Sequence, residues 1–413
     1  MKSKELVQAS PTLCSSELRT IPVVWDASFG EAASPIPDEI VDSLKRHAAL
    51  NSYPPVQGLP ELRTNWSNYL TECHDVSFNK ESMVITPGSK FALQAIFAVL
   101  SPSLVIIPTP AWVGYCPCAE MGGHEVQYLT CDAENCYKLR ISDLDFICKA
   151  HCNKQTVLVL NSPNNPTGAV YSKEEMEAIC VYCGTSGIIV VFDGIYAHDY
   201  SFIEDRIYTP LSFIPHLTIY VGGMSKTFGM GGRRLGFCHI PEEGVRKNFV
   251  SYLSSTVSGV DIATQTSVAD YFASPGKAMD YVKSWLSLAC RVSRYVEERL
   301  NQIGLETSSP EGGFYIYTDF TPFKNVLKEQ YQVANSKSLA EVLLSKVGIR
   351  VLPASIFADH SLAVRIVTQG YKATIADERD SPLTLLLMKH GQEIVRGLDQ
   401  LELFILNLDR SID

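Results

Sequence analysis

The sequence predicts an α/β protein with a mainly parallel sheet and a second, smaller α+β domain. Short apolar runs without polar alternation recur along the first part of the chain, and stretches with helical spacing separate them. Unalternated runs are typical of strands covered on both faces, and alternation of strands with helices is typical of parallel sheets. After a long helical stretch at 277–303, a glycine-rich turn and isolated helical stretches indicate the second domain.

Each predicted strand is a short apolar run bounded by turn residues, and each predicted helix has apolar residues three or four positions apart. The predicted strands are 83–86, 104–108, 156–161, 187–193 and 217–221. The predicted helices are 89–100, 112–121, 173–182, 277–303, 338–346 and 385–408. From this order we expect an N-terminal arm and part of the small domain at 1–47, a large domain at 48–285 and the small C-terminal domain at 286–413.

Composition excludes several classes of function. The 413 residues carry a formal net charge of -10, which argues against a protein that binds nucleic acid or anionic membrane by charge alone. No apolar stretch is long enough to span a bilayer, and residues 1–18 contain no apolar core of signal-peptide length. We therefore predict a cytoplasmic protein without nucleic-acid or membrane partners.

The twelve cysteines are spread through apolar surroundings. Cys116 with Cys118, and Cys180 with Cys183, are the only close pairs, and neither has a second pair nearby. Free thiols in a reducing compartment explain this pattern better than disulfides or a metal centre do. We predict no metal site.

The segment 225–236 carries the strongest chemical signal. It follows a predicted strand and is rich in glycine, so that the backbone can approach a ligand closely. Lys226, at the end of an apolar strand, is a candidate for covalent attachment to a carbonyl compound. Taken alone, the segment is equally compatible with a solvated surface loop.

Together with six further motifs, this segment resembles the fold-type I, class I/II aminotransferases, the family of aspartate aminotransferase. That family has a lysine followed by glycine, arginine and glycine six, eight and ten positions later, and Lys226, Gly232, Arg234 and Gly236 match it. The other matching motifs, in order, lie at 53–63, 86–93, 108–115, 161–168, 193–196 and 364–366. The resemblance covers about residues 25–405 and implies a pyridoxal 5'-phosphate (PLP) domain with a seven-stranded, mainly parallel sheet.

The resemblance implies that Lys226, Asp193 and Tyr196 are the catalytic residues, with Lys226 holding PLP as a Schiff base. A carboxylate at residue 193 suits the task of keeping the pyridine nitrogen protonated, which the electron sink requires. The amide of Asn165 and the hydroxyl of Tyr196 suit the phenolic oxygen of the cofactor. Trp112 offers a flat face to its ring.

The phosphate of the cofactor is expected at the start of the helix near residue 89, where free N–H groups favour anions. The residues expected to bind it are Gly88, Ser89, Lys90, Ser225 and Arg234. In relatives the residue that matches Tyr53 reaches the phosphate of the neighbouring subunit, so the resemblance also implies a homodimer.

The substrate is expected to contact Arg365, Asn165 and Gly30. The guanidinium of Arg365 can hold the α-carboxylate in a bidentate pair, which lysine cannot reproduce. The implied reaction moves an amino group between an L-amino acid and a 2-oxo acid in a ping-pong scheme. Lys90 lies where prokaryotic aspartate aminotransferases have a lysine near a distal carboxylate; a role at the phosphate or in solvent is equally compatible.

Departures from the family pattern leave another reaction open. Gly223 replaces a serine, Gly194 replaces an acidic residue, and the segments 352–357 and 368–380 differ in composition. A lyase, a cyclising synthase or an oxidase on the same fold is therefore the alternative function. A PLP-binding transcription regulator is rejected, because residues 1–25 cannot contain a DNA-binding domain. The segment 368–380 is predicted as a solvated loop, with a lid as the alternative.

Overall fold

A computed structural model describes residues 21–197, 202, 206–371 and 382–409 of the chain. The predictions for residues 1–20, and for all but the first four residues of the segment 368–380, lie outside these ranges.

The described residues form thirteen strands and thirteen α-helices, joined by short turns. The strands are β1 (Trp25–Asp26), β2 (Met83–Thr86), β3 (Leu104–Thr109), β4 (Glu125–Thr130), β5 (Thr156–Asn161), β6 (Ile189–Asp193), β7 (Thr218–Gly223), β8 (Gly236–His239), β9 (Glu306–Thr307), β10 (Tyr315–Asp319), β11 (Ile349–Arg350), β12 (Leu352–Pro353) and β13 (Ala363–Val367). The helices are α1 (Asp38–His47), α2 (Pro60–His74), α3 (Ser89–Val99), α4 (Tyr115–Met121), α5 (Ile141–Ala150), α6 (Lys173–Ser186), α7 (Glu243–Thr256), α8 (Ile262–Phe272), α9 (Pro275–Gln302), α10 (Lys324–Tyr331), α11 (Ser336–Val342), α12 (Leu383–His390) and α13 (Gln392–Asp409).

Seven strands form one large sheet in the order β2-β8-β7-β6-β5-β3-β4. The strands β4, β3, β5, β6 and β7 are parallel, whereas β8 runs antiparallel to both of its neighbours. Strands β2, β3, β5 and β7 consist almost entirely of buried residues, since helices cover both faces of the sheet. The predicted α/β fold with a mainly parallel seven-stranded sheet is confirmed.

The parallel pairing fixes where the functional side chains meet. Asn161 and Asp193 end two adjacent strands and are directly paired in register. Asp193 is in turn paired with Val221 of β7, shortly before the loop that carries Lys226. The carboxyl ends of parallel strands lie at the same edge of a sheet, so three separate segments converge there.

A second sheet of four antiparallel strands has the order β12-β13-β10-β9. The short strand β1 pairs in parallel with β11, so the chain near Trp25 packs on the C-terminal part of the protein. The single helix predicted at 385–408 is two helices instead. They meet at Gly391, where a Cβ atom would lie 2.6 Å from a methyl group of Leu387.

Two strands of the large sheet were missed by the sequence analysis. β4 is an edge strand whose side chains are mostly exposed, so that it lacks an apolar run. β8 has only four residues and begins at the last residue of the glycine-rich segment 225–236.

Two composition-based expectations concern cysteines and membrane spans. All eleven cysteines in the described ranges are free, and six of them are buried. None of the helices in these ranges is long and apolar enough to cross a membrane.

Candidate active site

A cavity of about 530 Å³ opens at the carboxyl edge of the large sheet. Except for Gly88 and Tyr53, every residue predicted for the site lines it. Residues that the sequence analysis did not assign also line it, namely Ser28, Phe29, Glu31, Leu93, Val113, Tyr115, Asn161, Ile195, Gly231, Tyr315, Leu352, Ile356 and Phe357. The cavity therefore has charged groups from several segments of the chain, among them Asp193 of the large sheet and Arg365 of β13, and an apolar wall from the segment 352–357.

Asp193 ends β6 and is 5% exposed. One carboxylate oxygen accepts a hydrogen bond of 2.7 Å from the Tyr115 hydroxyl, and the other accepts one of 3.2 Å from the Ile195 amide. Burial raises the pKa of Asp193 to about 6, although both hydrogen bonds and the nearby Lys226 lower it. A buried carboxylate whose direct donors are neutral is suited to a cation such as a protonated ring nitrogen.

Arg365 projects from β13 and is 4% exposed. One terminal nitrogen donates to Asn165 Oδ1 at 3.0 Å, and the other donates to the Ser28 carbonyl. Its Nε is buried without a hydrogen-bond partner in the described structure. Rings lie over the guanidinium, with Tyr315 at 4.8 Å and Phe357 at 5.2 Å. A buried, incompletely satisfied guanidinium is suited to a carboxylate.

The orientation of Asn165 follows from this contact. Its Oδ1 accepts from Arg365, and its backbone N–H donates to Asn161 Oδ1 at 2.8 Å. Asn161 in turn donates from Nδ2 to the Asp193 carbonyl at 2.8 Å. With Oδ1 occupied, the Nδ2 amide of Asn165 is the end that can donate to a ligand.

Lys226 follows β7 and donates from Nζ to the carbonyl oxygen of Gly30. Its Nζ lies 6.0 Å from the centre of the Phe314 ring. The hydroxyl of Tyr196 lies 2.6 Å from that of Tyr315. Burial is the largest of several effects that raise the pKa of Tyr196 well above its usual value, so its hydroxyl stays protonated and can donate a hydrogen bond.

A candidate anion site lies at the first turn of α3. The helix begins at Ser89 after Gly88, which has φ +88° and supplies no side-chain cap. A Cβ atom on Gly88 would lie 2.5 Å from a terminal nitrogen of Arg234, so this guanidinium lies against the helix terminus. Free N–H groups, the helix dipole and a guanidinium together favour a phosphate.

Trp112 lies on the segment before α4. Its ring contacts Tyr115 edge to face, with centroids 5.2 Å apart, and Lys90 Nζ lies 5.4 Å from its ring centre. A Cβ atom on Gly114 would overlap the Trp112 ring, so a glycine is needed for the ring to fold back at this point. Trp112 therefore presents a flat aromatic surface inside the cavity.

Tyr53 is 90% exposed and lies outside the cavity of its own chain. The residues that follow it are firmly held, because Leu59 N–H donates to Gln265 Oε1 at 2.9 Å and Ile85 N–H donates to the Gln57 carbonyl at 3.0 Å. The structure of the single chain thus does not bring Tyr53 to the other predicted site residues.

Two tyrosines that contact predicted site residues were missed by the sequence analysis. Tyr115 closes the motif at 108–115 and Tyr315 follows the glycine-rich turn, but nothing in these patterns indicates a partner. Only the fold brings Tyr115 to Asp193, and Tyr315 to Tyr196 and Arg365.

The site therefore offers a phosphate cradle, a flat aromatic face, a buried carboxylate, a hydroxyl donor and a primary amine around one cavity. PLP has a phosphate, a planar ring, a basic ring nitrogen, a phenolic oxygen and a carbonyl carbon that match these groups one by one. The residues present fit this cofactor.

Comparisons with known proteins agree with this geometry. The family described as aminotransferase class I and II matches residues 26–376. The probable aspartate/prephenate aminotransferase of Aquifex aeolicus is 31% identical over 365 residues, which cover 85% of this chain and 89% of that protein. The asparagine–oxo-acid transaminase of Streptococcus mutans is 30% identical, covering 75% of this chain and 82% of that protein. The structure of Thermus thermophilus aspartate aminotransferase with maleate has a TM-score of 0.79 at 26% identity, covering 93% and 91% of the two chains.

Proposed function

Because the chain belongs to the class I and II aminotransferase family, whose members depend on PLP, we propose that it transfers the amino group of an acidic L-amino acid to a 2-oxo acid in the cavity around Lys226. The reaction has two halves, in which the donor leaves as an oxo acid before the acceptor binds. Nothing in the site or in the comparisons favours a lyase, a cyclising synthase or an oxidase.

Different residues of the cavity would bind different parts of the cofactor. The first turn of α3, Ser225 and Arg234 would hold the phosphate, and Trp112 would cover one face of the ring. Asp193 would pair with the ring nitrogen, and Asn165 and Tyr196 would donate to the phenolic oxygen. When bound, PLP supplies an electron sink for the bond broken at the substrate Cα.

The chain itself binds, orients and moves protons. Arg365 would hold the α-carboxylate through the terminal N–H groups that do not donate to Asn165 or Ser28, which fixes the Cα atom relative to Lys226. The amine of Lys226 would take the proton from the substrate Cα and deliver it to C4' of the cofactor. The apolar wall at 352–357 would limit the access of water to this amine.

The charge balance of the cavity supports an acidic substrate. Its four cations are Lys90, Lys226, Arg234 and Arg365, and its two anions are Glu31 and Asp193. Three of these cations already have a partner in the proposed complex. Arg234 would bind the phosphate, Lys226 the cofactor carbonyl and Arg365 the α-carboxylate. Lys90, which forms no ion pair in the described part of the chain, remains for a second carboxylate. The printed names of the relatives, which include aspartate aminotransferases, support the same substrate class.

Steady-state kinetics of Lys90 variants test this proposal. Aspartate and asparagine have nearly the same shape, but only aspartate has a charged side chain. Lys90→Met should raise the KM for aspartate about tenfold, as expected for losing one charge-assisted contact, and change the value for asparagine less than twofold. Lys90→Arg keeps the charge and should retain most of the affinity, while Lys226→Ala serves as the inactive control. Equal changes for both amino acids would assign Lys90 to the phosphate or to solvent.

We also propose a homodimer in which Tyr53 reaches the phosphate site of the partner. Its exposure, and the anchoring of the residues that follow it, support a contact outside its own chain. The free cysteines support a reducing, cytoplasmic location.

A further inference from the structure

The side chain of Tyr315 lies against three predicted site residues, namely Tyr196, Arg365 and Gly30. Tyr315 begins β10 and is 1% exposed. Its hydroxyl lies 2.6 Å from the Tyr196 hydroxyl, and its ring lies 4.8 Å from the Arg365 guanidinium carbon. A Cβ atom on Gly30 would lie 2.5 Å from its hydroxyl oxygen, so it also packs closely against the segment that accepts from Lys226.

We infer that Tyr315 is a positioning residue that strengthens hydrogen-bond donation by Tyr196 through its hydroxyl and orients Arg365 through its ring. This inference rests on the proposed roles of Tyr196 and Arg365 in binding the cofactor and the substrate. It assigns one side chain of the small sheet to both ligands, whereas the sequence motifs place the cofactor-binding residues in the large domain predicted at 48–285.

The direction of the hydrogen bond follows from counting protons. Each phenol has one O–H to donate. If Tyr196 donates to the phenolic oxygen of the cofactor, its own oxygen can only accept, so Tyr315 must be the donor between the two. Acceptance of a hydrogen bond polarises the Tyr196 O–H and makes it a better donor, since such chains are cooperative at buried sites.

The ring of Tyr315 acts separately from its hydroxyl. Arg365 is buried against the Tyr315 and Phe357 rings, and burial lowers the pKa of its guanidinium. Aromatic faces stabilise a cation and restrict where it can lie. Tyr315→Phe therefore removes the hydroxyl, with its hydrogen bond to Tyr196 and its packing against Gly30, and keeps the ring, whereas Tyr315→Leu removes the ring contact with Arg365 as well.

The pH dependence of the absorption of bound PLP tests the hydroxyl role in the holoenzyme. A hydrogen bond to the phenolic oxygen of the cofactor stabilises the negative charge on that oxygen. It thereby disfavours protonation of the neighbouring nitrogen, through which Lys226 would be attached to PLP. Weakening that bond in Tyr315→Phe should raise the midpoint of the absorption change by about half to one pH unit. Tyr196→Phe should raise it at least as much, and adding Tyr315→Phe to that variant should cause no further shift.

Tyr317→Phe is the matched control. Tyr317 is on the same strand, is fully buried and donates to Asp359 at 2.6 Å, but it does not line the cavity. Its substitution should leave the midpoint unchanged. Tyr315→Leu tests the ring role: it should raise the KM for the donor amino acid at least about fivefold, with Tyr315→Phe changing it less than twofold.

The outcomes separate this inference from the proposed function. If Tyr196→Phe shifts the midpoint and Tyr315→Phe does not, or if the two shifts add, the positioning role is wrong and the assignment of Tyr196 stands. If Tyr196→Phe leaves the midpoint unchanged, both are overturned. Equal KM values for Tyr315→Leu and Tyr315→Phe would remove the ring role.

Discussion

At the residue scale, the protonation of Asp193 depends on its neighbours. Burial raises its pKa to about 6, and the hydrogen bond from Tyr115 is the strongest opposing effect. The titratable groups that face it are Tyr115 from α4, Tyr196 from the following turn and Lys226 from the loop after β7. Without the Tyr115 hydroxyl the carboxylate would ionise only at higher pH, and its pairing with a ring nitrogen would weaken near neutrality.

We expect Tyr115→Phe to change how the stability of the cofactor-free protein depends on pH. The folded-state pKa of Asp193 lies above its unfolded value, so its contribution to stability is present below pH 4 and is lost as the pH rises to about 6. A hydrogen bond to a charged group contributes roughly 1.5–3 kcal/mol, or about one to two pH units, so in Tyr115→Phe the loss should continue to about pH 7–8. Tm measured across pH 5–8 checks this.

Asp193→Asn provides the reference background, since it removes the titrating group. In that background Tyr115→Phe should lower Tm by the same amount at every pH. A pH-dependent difference that persists without the carboxylate would mean that Tyr115 acts through a titrating group other than Asp193.

Two departures from the family pattern are explained by packing. A Cβ atom on Gly194 would overlap the Tyr220 hydroxyl, so the tyrosine occupies the space that an acidic side chain would need. A Cβ atom on Gly223 would lie 3.0 Å from the Leu235 carbonyl, which is a tight contact. Both glycines therefore follow from local contacts and do not by themselves indicate a different reaction.

At the element scale, β8 closely approaches the first turn of α3, where the phosphate of the cofactor is proposed to bind. A Cβ atom on Gly236 would lie 2.8 Å from both the Gly88 carbonyl carbon and the Ser89 nitrogen. The strand and the helix terminus therefore touch through backbone atoms, and this contact holds the free N–H groups beside Arg234.

Gly236→Ala should displace this helix terminus and loosen PLP at least about tenfold, because backbone atoms cannot move aside as a flexible side chain can. The measurement is a PLP titration of the cofactor-free variant, with Tm recorded in parallel. Gly276→Ala is the control, since a Cβ atom there has no atom within 4 Å and lies at the start of α9. Unchanged PLP affinity in Gly236→Ala would show that the cradle does not need this contact.

At the scale of the whole molecule, the proposed homodimer would bring Tyr53 of one chain to the phosphate site of its partner. Tyr53→Phe should raise the dissociation constant of PLP by about one to two orders of magnitude, as expected for the loss of one charge-assisted hydrogen bond to the phosphate. Dilution below the dimer dissociation constant should act in the same direction, because each site would lose the residue from its partner. PLP affinity measured against protein concentration, alongside sedimentation, checks both.

Tyr128→Phe is the matched control, because Tyr128 is also exposed but lies on the edge strand β4. It should leave PLP affinity unchanged. A monomer that holds PLP as tightly as the dimer does would contradict the shared site, although not the assignment of Lys226.

The sequence by itself determined the fold class, most of the strands of the large sheet and eleven of the 24 residues that line the cavity. Strands covered on both faces must be apolar throughout, so β2, β3, β5, β6 and β7 were visible as runs. The glycines and charged residues of the cofactor motifs were visible because their spacing along the chain is fixed by local backbone geometry.

Tertiary structure alone decided the contacts between distant segments. Tyr115 meets Asp193 across 78 positions and Tyr196 meets Tyr315 across 119, and no local pattern encodes such pairs. The break between α12 and α13, the edge strand β4 and the direction of β8 likewise depend on what each element packs against. Local spacing specifies which residue types stand at a site, whereas the three-dimensional packing specifies which of them touch.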